Sequence, residues 1–94
     1  MSYLSQIQDR EKKLLCNTYN RYPLEIASGS GCRLYDSEGN EYVDMLAGIA
    51  VCNLGHCPPE VNRVIKEQAG KLVHVSNLFY QTPQLDLAER LLGT

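Results

Sequence analysis

The sequence lacks any long apolar run and any excess of positive charge. None of its 94 residues lies in a stretch of about 18 apolar residues, the length that a membrane-spanning helix needs. Only 9 Lys and Arg stand against 11 Asp and Glu, which gives a net charge of -2. A nucleic-acid-binding surface requires clustered Lys and Arg, so we expect neither a membrane nor a nucleic acid as partner.

The first residues also lack the features of a secretory signal peptide. The mixed charges of Asp9–Lys13 come early, and no long apolar segment precedes them. This favours a cytoplasmic location, where the reducing environment keeps thiols free. The cysteines are therefore expected to be unpaired: Cys16, Cys32, Cys52 and Cys57.

Hydrophobic periodicity and turn residues predict an α+β chain. We expect an N-terminal helix with a thin apolar stripe, a small antiparallel β-hairpin or meander, and then two more helices. The turn residues of Asp36–Asn40 favour a hairpin loop within the meander. The apolar stretch Leu46–Cys52 is expected to be buried. The predicted elements are a helix over 1–16, strands within 24–45, and helices over 59–73 and 82–93.

Local signals refine the two later helices. Pro58 or Pro59 is expected to open the first of them, since a missing N–H has no cost at that position. Glu67 and Lys71 have the i,i+4 spacing of a favourable ion pair on its outer side. Thr82 is expected to act as the N-cap of the last helix.

The stretch Val51–Glu60 concentrates chemically active side chains and allows three interpretations. A zinc site built on Cys52 and Cys57 would need a distant further ligand such as His74, because structural zinc takes four ligands. A reactive thiol at Cys57 would exploit the helix N-terminus that follows it. A plain turn, with Gly55 allowing tight backbone geometry and prolines starting the helix, accounts for the stretch without any ligand and is favoured.

The stretch Gly29–Gly31 could be taken for a phosphate-binding loop. Such a loop leads from a strand into the N-terminus of a helix. Here the stretch lies between two predicted strands, so a simple turn is expected.

Taken together, the motifs and their order resemble the N-terminal segment of the class III aminotransferases. These are fold-type I enzymes that depend on pyridoxal phosphate, and the acetylornithine aminotransferase branch is the most similar. The resemblance covers about residues 17–93 and rests on the ordered set Gly29-x-Gly31, Leu34–Asp36, Gly39, Tyr42–Asp44, Gly48–Val51, Leu54–His56, Gln68, His74 and Ser76–Tyr80.

The resemblance implies site residues of two kinds. Arg21 aligns with a position that contacts the distal end of the substrate in ornithine-handling relatives. Ile49 resembles a position where relatives place different side chains over the substrate and cofactor face. Ser76, Asn77 and Tyr80 resemble a segment that approaches the dimer interface and the entrance of the active site. A buried core role for Ile49 and a solvated surface role for Arg21 remain open alternatives.

The resemblance also implies a cofactor that these residues do not hold. A transaminase needs a lysine that forms a Schiff base with pyridoxal phosphate. Such a lysine needs a partly desolvated pocket, whereas every lysine here falls on a predicted charged helix face: Lys12, Lys13, Lys66 and Lys71. We therefore expect no catalytic, cofactor-binding or metal-binding residue in this chain.

The resulting hypothesis is an N-terminal fragment of a homodimeric enzyme. The complete enzyme would bind pyridoxal phosphate and transfer an amino group from an N-acylornithine-like donor to 2-oxoglutarate, in arginine or lysine biosynthesis. The partners of this chain would be the rest of the aminotransferase and a second subunit. Two alternatives stay open: a stand-alone α+β interaction module, and a small metalloprotein that uses Cys52, Cys57 and His74.

Overall fold

The computed structural model describes residues 2–94 and confirms the α+β prediction. The chain consists of two compact units, one ending at Val61 and the other spanning Asn62–Thr94. In chain order the elements are α1 (Tyr3–Leu14), β1 (Ile26–Ser30), β2 (Arg33–Asp36), β3 (Glu41–Val43), the single turn α2 (Ala47–Ala50), α3 (Pro59–Ala69) and α4 (Thr82–Leu92).

The three strands form an antiparallel sheet in the order β1-β2-β3. Leu34 pairs with Tyr42 across β2 and β3, and a bulge interrupts β1 before Ser28. The predicted hairpin loop is confirmed: the Asp36 side chain accepts the N–H of Asn40 at 2.8 Å. Gly39 has φ +86°, a backbone conformation that L-residues rarely adopt.

Helix α1 is shorter than the predicted 1–16. Ser2 is its N-cap and accepts the N–H of Ser5 at 3.2 Å. The helix ends at Leu14 because Leu15 already has extended backbone angles, φ -116° and ψ 150°. The part of the prediction that concerns residue 1 lies outside the described residues.

Helix α3 begins at Pro59, as one of the two predicted alternatives, but ends before residue 73. Gly70 directly follows its last residue, and glycine favours termination because of its conformational freedom. The predicted pairing of Glu67 with Lys71 is therefore wrong, since Lys71 lies beyond the helix. Glu67 instead accepts a hydrogen bond from Arg63 one turn earlier, at 2.8 Å.

Helix α4 begins at residue 82, as predicted, but its N-cap is not the predicted Thr82. Gln81 is the N-cap, with the extended angles φ -137° and ψ 121°, and its side chain makes no capping hydrogen bond. Thr82 is the first helical residue, followed by Pro83 in the first turn. The predicted cap at Thr82 is wrong because the chain turns helical one residue earlier.

The apolar side chains are largely accessible to solvent. No residue among 2–94 is buried as a whole. The prediction that Leu46–Cys52 is buried is wrong for this chain, since Ile49 is 87% and Val51 75% exposed. This stretch forms part of a loop rather than a strand or a long helix whose face could pack. None of the helices described within residues 2–94 has the length and apolar character that a bilayer crossing needs.

Candidate functional site

A loop that follows the sheet contains the candidate position Ile49. We call residues 45–55 the 45–55 loop. At its start, the N–H of Asp44 donates to the carbonyl of Cys32 at 2.9 Å. At its end, His56 and Gly31 exchange two backbone hydrogen bonds, of 2.8 and 3.0 Å. Both ends of the loop are thus attached to the turn between β1 and β2, in the manner of a compact Ω-loop.

The base of the loop is also closed by a side-chain pair. Nε2 of His56 lies 2.5 Å from Oδ2 of Asp44. The other carboxylate oxygen of Asp44 accepts the N–H groups of Leu46 at 2.9 Å and Ala47 at 3.0 Å. The side chain of Asp44 is only 8% exposed and that of His56 19%. One carboxylate therefore links two amides near the start of the loop to the residue that directly follows it.

These contacts favour the ionised form of Asp44 and lower its pKa. The N–H of Ala47, followed by that of Leu46 and the His56 side chain, holds the pKa of the Asp44 carboxyl below its usual value. The side chain of His56 bonds a carboxylate twelve residues away. An Asp placed directly after a strand is a recognisable signal for capping of a following turn; the partnership with His56 has no such local signal.

The turn inside the loop is left-handed. Its four residues, Ala47 to Ala50, have φ values of 52, 64, 62 and 60°. L-residues avoid this region because Cβ approaches the following carbonyl, at a cost of roughly 1–2 kcal/mol per residue. Of the four residues, only Gly48 avoids that cost. Ile49 is β-branched, and a positive φ is a genuine outlier for a β-branched residue. Such strain persists only where surrounding contacts impose it, and it is common at functional sites.

Two glycines allow the end of the loop to lie against the sheet. A Cβ on Gly29 would be 3.0 Å from Cβ and Cγ of His56. Gly55 has φ +85°, and a Cβ there would lie 3.1 Å from the backbone of Gly31. The predicted turn at Gly29–Gly31 is displaced, since Gly29 and Ser30 belong to β1 and the turn begins at Gly31. Gly29 and Gly55 thus allow the end of the loop to pack closely against the first strand and the turn that follows it.

The candidate position Arg21 lies elsewhere in the first unit. Its guanidinium forms an ion pair with Glu11 of α1 and sits 5.6 Å from the centre of the Tyr19 ring. The side chain is half exposed. It lines a groove of about 790 Å³ beside α1, together with Ile7 and Tyr22. Arg21 is thus an accessible cation that already binds one carboxylate.

The three remaining candidates belong to the second unit. The hydroxyl of Ser76 accepts the N–H of Leu78 at 3.2 Å, and its carbonyl accepts the N–H of Phe79 at 3.1 Å. This turn presents Asn77 and Tyr80 to solvent, and the Tyr80 side chain is completely exposed. The segment offers polar and aromatic contact groups ahead of α4.

The groups considered for metal or cofactor binding are dispersed. Within residues 2–94 no three His, Cys, Asp or Glu side chains are grouped so that they could hold a metal ion. His56 is bonded to Asp44, and the thiol-bearing residues Cys16, Cys32 and Cys57 are exposed. Every lysine is exposed: Lys12, Lys13, Lys66 and Lys71. The residues present therefore do not fit the partly desolvated lysine that pyridoxal phosphate requires.

Comparison with known proteins identifies similar chains. The family model described as "Aminotransferase class-III" matches residues 15–94. Acetylornithine aminotransferase of Caldanaerobacter subterraneus subsp. tengcongensis is 52% identical over 81 residues, covering 86% of this chain and 21% of that protein. This chain spans about a fifth of the length of the curated relatives it matches.

Solved structures share the fold. The ornithine aminotransferase of Toxoplasma gondii ME49 superposes with a TM-score of 0.87 at 28% identity, over 99% of this chain and 23% of that one. The N-acetylornithine aminotransferase of Stenotrophomonas maltophilia K279a superposes with a TM-score of 0.73 at 42% identity, over 88% of this chain and 21% of that one.

Proposed function

This chain belongs to the class III aminotransferases, and from that membership we propose that it is the N-terminal segment of an acetylornithine-type aminotransferase. The observation that carries the proposal is the 52% identity over 81 residues to a relative named acetylornithine aminotransferase. The complete enzyme would transfer an amino group from an N-acylornithine-like donor to 2-oxoglutarate. We further propose that it acts in arginine biosynthesis, in the cytoplasm, as a homodimer.

The proposal assigns the cofactor to chain outside these residues. Pyridoxal phosphate, when bound, supplies the electron sink for amino transfer. Residues 2–94 contain only exposed lysines. The Schiff-base lysine and the phosphate-binding loop would therefore come from the remainder of a longer chain. The present residues would line part of the entrance through which substrate reaches the active site.

At that entrance we propose that Ile49 faces the substrate and that Arg21 binds the distal end of the substrate. The exposure of Ile49, at 87%, leaves its side chain free to contact a ligand. Arg21 already pairs with the carboxylate of Glu11, so a substrate carboxylate would replace a partner of the same chemistry. We propose that Ser76, Asn77 and Tyr80 contribute to the entrance and to the contact with the second subunit.

The reaction is tested on the full-length protein loaded with pyridoxal phosphate. We expect glutamate to form from 2-oxoglutarate with N-acetylornithine as donor, at a higher kcat/KM than with ornithine or 4-aminobutyrate. Formation of no glutamate from N-acetylornithine by the loaded protein would exclude the proposed activity. A clear preference for unacylated ornithine would instead move the enzyme to a different branch of the family.

The role of Arg21 is tested with a matched pair of variants. Arg21→Ala should raise KM for N-acetylornithine about 10-fold with little change in kcat, because it removes binding that is equal in ground and transition states. Arg33→Ala is the control, since Arg33 is equally exposed and also pairs with one carboxylate, that of Glu41 at 3.1 Å. Equal effects of the two substitutions on KM would argue against a substrate contact at Arg21.

A further inference from the structure

The left-handed turn raises the question of what holds it in place. Inside the turn, the N–H of Ala50 bonds the carbonyl of Leu46 at 3.0 Å and that of Val51 bonds Ala47 at 2.8 Å. These bonds maintain the shape of the turn but do not attach it to the sheet. Ile49 is 87% exposed, so packing does not orient its side chain within this chain.

The side chain of Asp44 attaches the left-handed turn to the rest of the unit. Its Oδ1 accepts the amides of Leu46 and Ala47, and Ala47 is the first left-handed residue. Its Oδ2 meets Nε2 of His56, whose backbone is paired with Gly31 in the turn between β1 and β2. The Asp44 side chain thus connects the start of the strained turn directly to the fixed end of the loop.

We propose that Asp44 and His56 are positioning residues that hold the left-handed turn and thereby set where the Ile49 side chain meets the substrate. This inference rests on the proposed function, since it concerns the substrate side of the same site. Neither residue touches the substrate in this account. Both act through the backbone of Ala47–Ala50.

Three variants separate positioning from a general loss of stability. Asp44→Ala removes the acceptor for both amides and for His56. Asp44→Asn keeps a carbonyl oxygen for the amides and offers an N–H₂ group to the opposite tautomer of His56, so it is the conservative rescue. Gly39→Ala is the matched control, because it forces an L-residue into φ +86° in the hairpin loop with open space around the new Cβ.

The experiment uses the full-length protein and two readouts. Hydrogen exchange of the amides in residues 46–52 reports on the turn itself, and KM and kcat for N-acetylornithine report on the substrate. In Asp44→Ala we expect exchange about 10-fold faster and KM about 10-fold higher, with a smaller change in kcat. In Asp44→Asn both quantities should stay within about twofold of the wild type, and in Gly39→Ala neither should change.

Each outcome supports the inference or overturns it. Unchanged exchange in Asp44→Ala overturns it, and so does faster exchange with unchanged KM. If Asp44→Ala fails to fold, His56→Ala replaces it, since that variant keeps the two amide bonds of Asp44 and should show the same direction of change. If the wild type has no aminotransferase activity, the proposed function fails on its own. The exchange data then decide whether Asp44 holds the turn.

Discussion

Two carboxylates on the strand ends organise the first unit at the scale of single residues. Asp36 accepts hydrogen bonds from the side chain of Asn40 at 2.9 Å and from the hydroxyl of Tyr42 at 3.0 Å. The Asn40 side chain is the largest cause that lowers the pKa of Asp36, and the bond to Asp36 raises the pKa of Tyr42. Asp44 acts in the same way for the 45–55 loop. Ionised carboxylates thus stabilise the hairpin loop and the 45–55 loop.

The lowered pKa of Asp44 predicts a pH dependence of a defined sign. A carboxyl whose pKa is depressed by folding stabilises the protein above its unfolded pKa, about 3.9, and loses that effect as the pH falls through the folded pKa. We therefore expect the full-length wild type to exceed Asp44→Asn in denaturant midpoint at pH 7. The margin should shrink below about pH 4. A margin that stays the same at pH 3 would contradict the ionised role of Asp44.

A second prediction concerns the glycines of the loop. Gly55→Ala should lower the free energy of unfolding by more than Gly39→Ala, although both positions have φ near +85°. Gly39→Ala carries only the backbone penalty, of about 1 kcal/mol, because nothing surrounds the new Cβ. Gly55→Ala adds a Cβ at 3.1 Å from the backbone of Gly31, which must then shift away from His56. Urea unfolding of the two full-length variants measures the difference, and equal losses would contradict the close contact.

Local signals explain how much of the site could be predicted at this scale. The special backbone at Gly39 and Gly55 follows from turn chemistry that acts over a few residues. The pairing of Asp44 with His56 could not be predicted in the same way. It depends on the bridge between Gly31 and His56, which joins residues 25 positions apart. The left-handed conformation of Ile49 contradicts the intrinsic preference of a β-branched residue, so no local signal in the sequence predicts it.

At the scale of elements, strand and helix identities were predictable and their ends less so. The hairpin of β2 and β3 follows from the turn residues Asp36–Asn40, and the start of α3 follows from Pro59. The end of α3 was missed because Gly70 interrupts an apolar pattern that continues to Val73. Periodicity alone does not reveal where the backbone stops being helical.

The N-terminus of α4 offers a test at the element scale. Gln81 occupies the N-cap with extended angles but makes no capping hydrogen bond. Gln81→Asp should raise the free energy of unfolding by about 1 kcal/mol, because a short carboxylate accepts an exposed N–H and complements the helix dipole. Gln81→Ala is the control and should bring no gain. Chemical unfolding of both full-length variants measures the effect, and a loss of stability in Gln81→Asp would contradict the assigned cap position.

At the scale of the whole molecule, the chain has the composition of a globular protein but buries few apolar side chains. Residues 2–94 contain no residue that is buried as a whole, although 44% of the sequence is hydrophobic. Apolar residues on α3 such as Val64 and Ile65 are more than half exposed. Composition and length alone predicted only a marginal core. The accessible apolar faces are consistent with a segment that packs on further chain.

The 94 residues in isolation should therefore unfold with weak cooperativity. Too little apolar surface is removed from water to offset the entropy of ordering the chain. We expect a broad thermal transition by circular dichroism and no stoichiometric binding of pyridoxal phosphate by absorbance. A sharp two-state transition would contradict this expectation and favour a stand-alone module. Stoichiometric zinc in the purified chain would instead favour the metalloprotein alternative.

The most direct test of the central claim is the intact mass of the native protein from its source cells, read together with the coding DNA beyond Thr94. We predict a mass several times the 10.6 kDa of these 94 residues, with a Gly- and Ser-rich phosphate loop and a lysine on a later strand. A native protein of 10.6 kDa would contradict the account, because these residues contain no lysine suited to amino transfer.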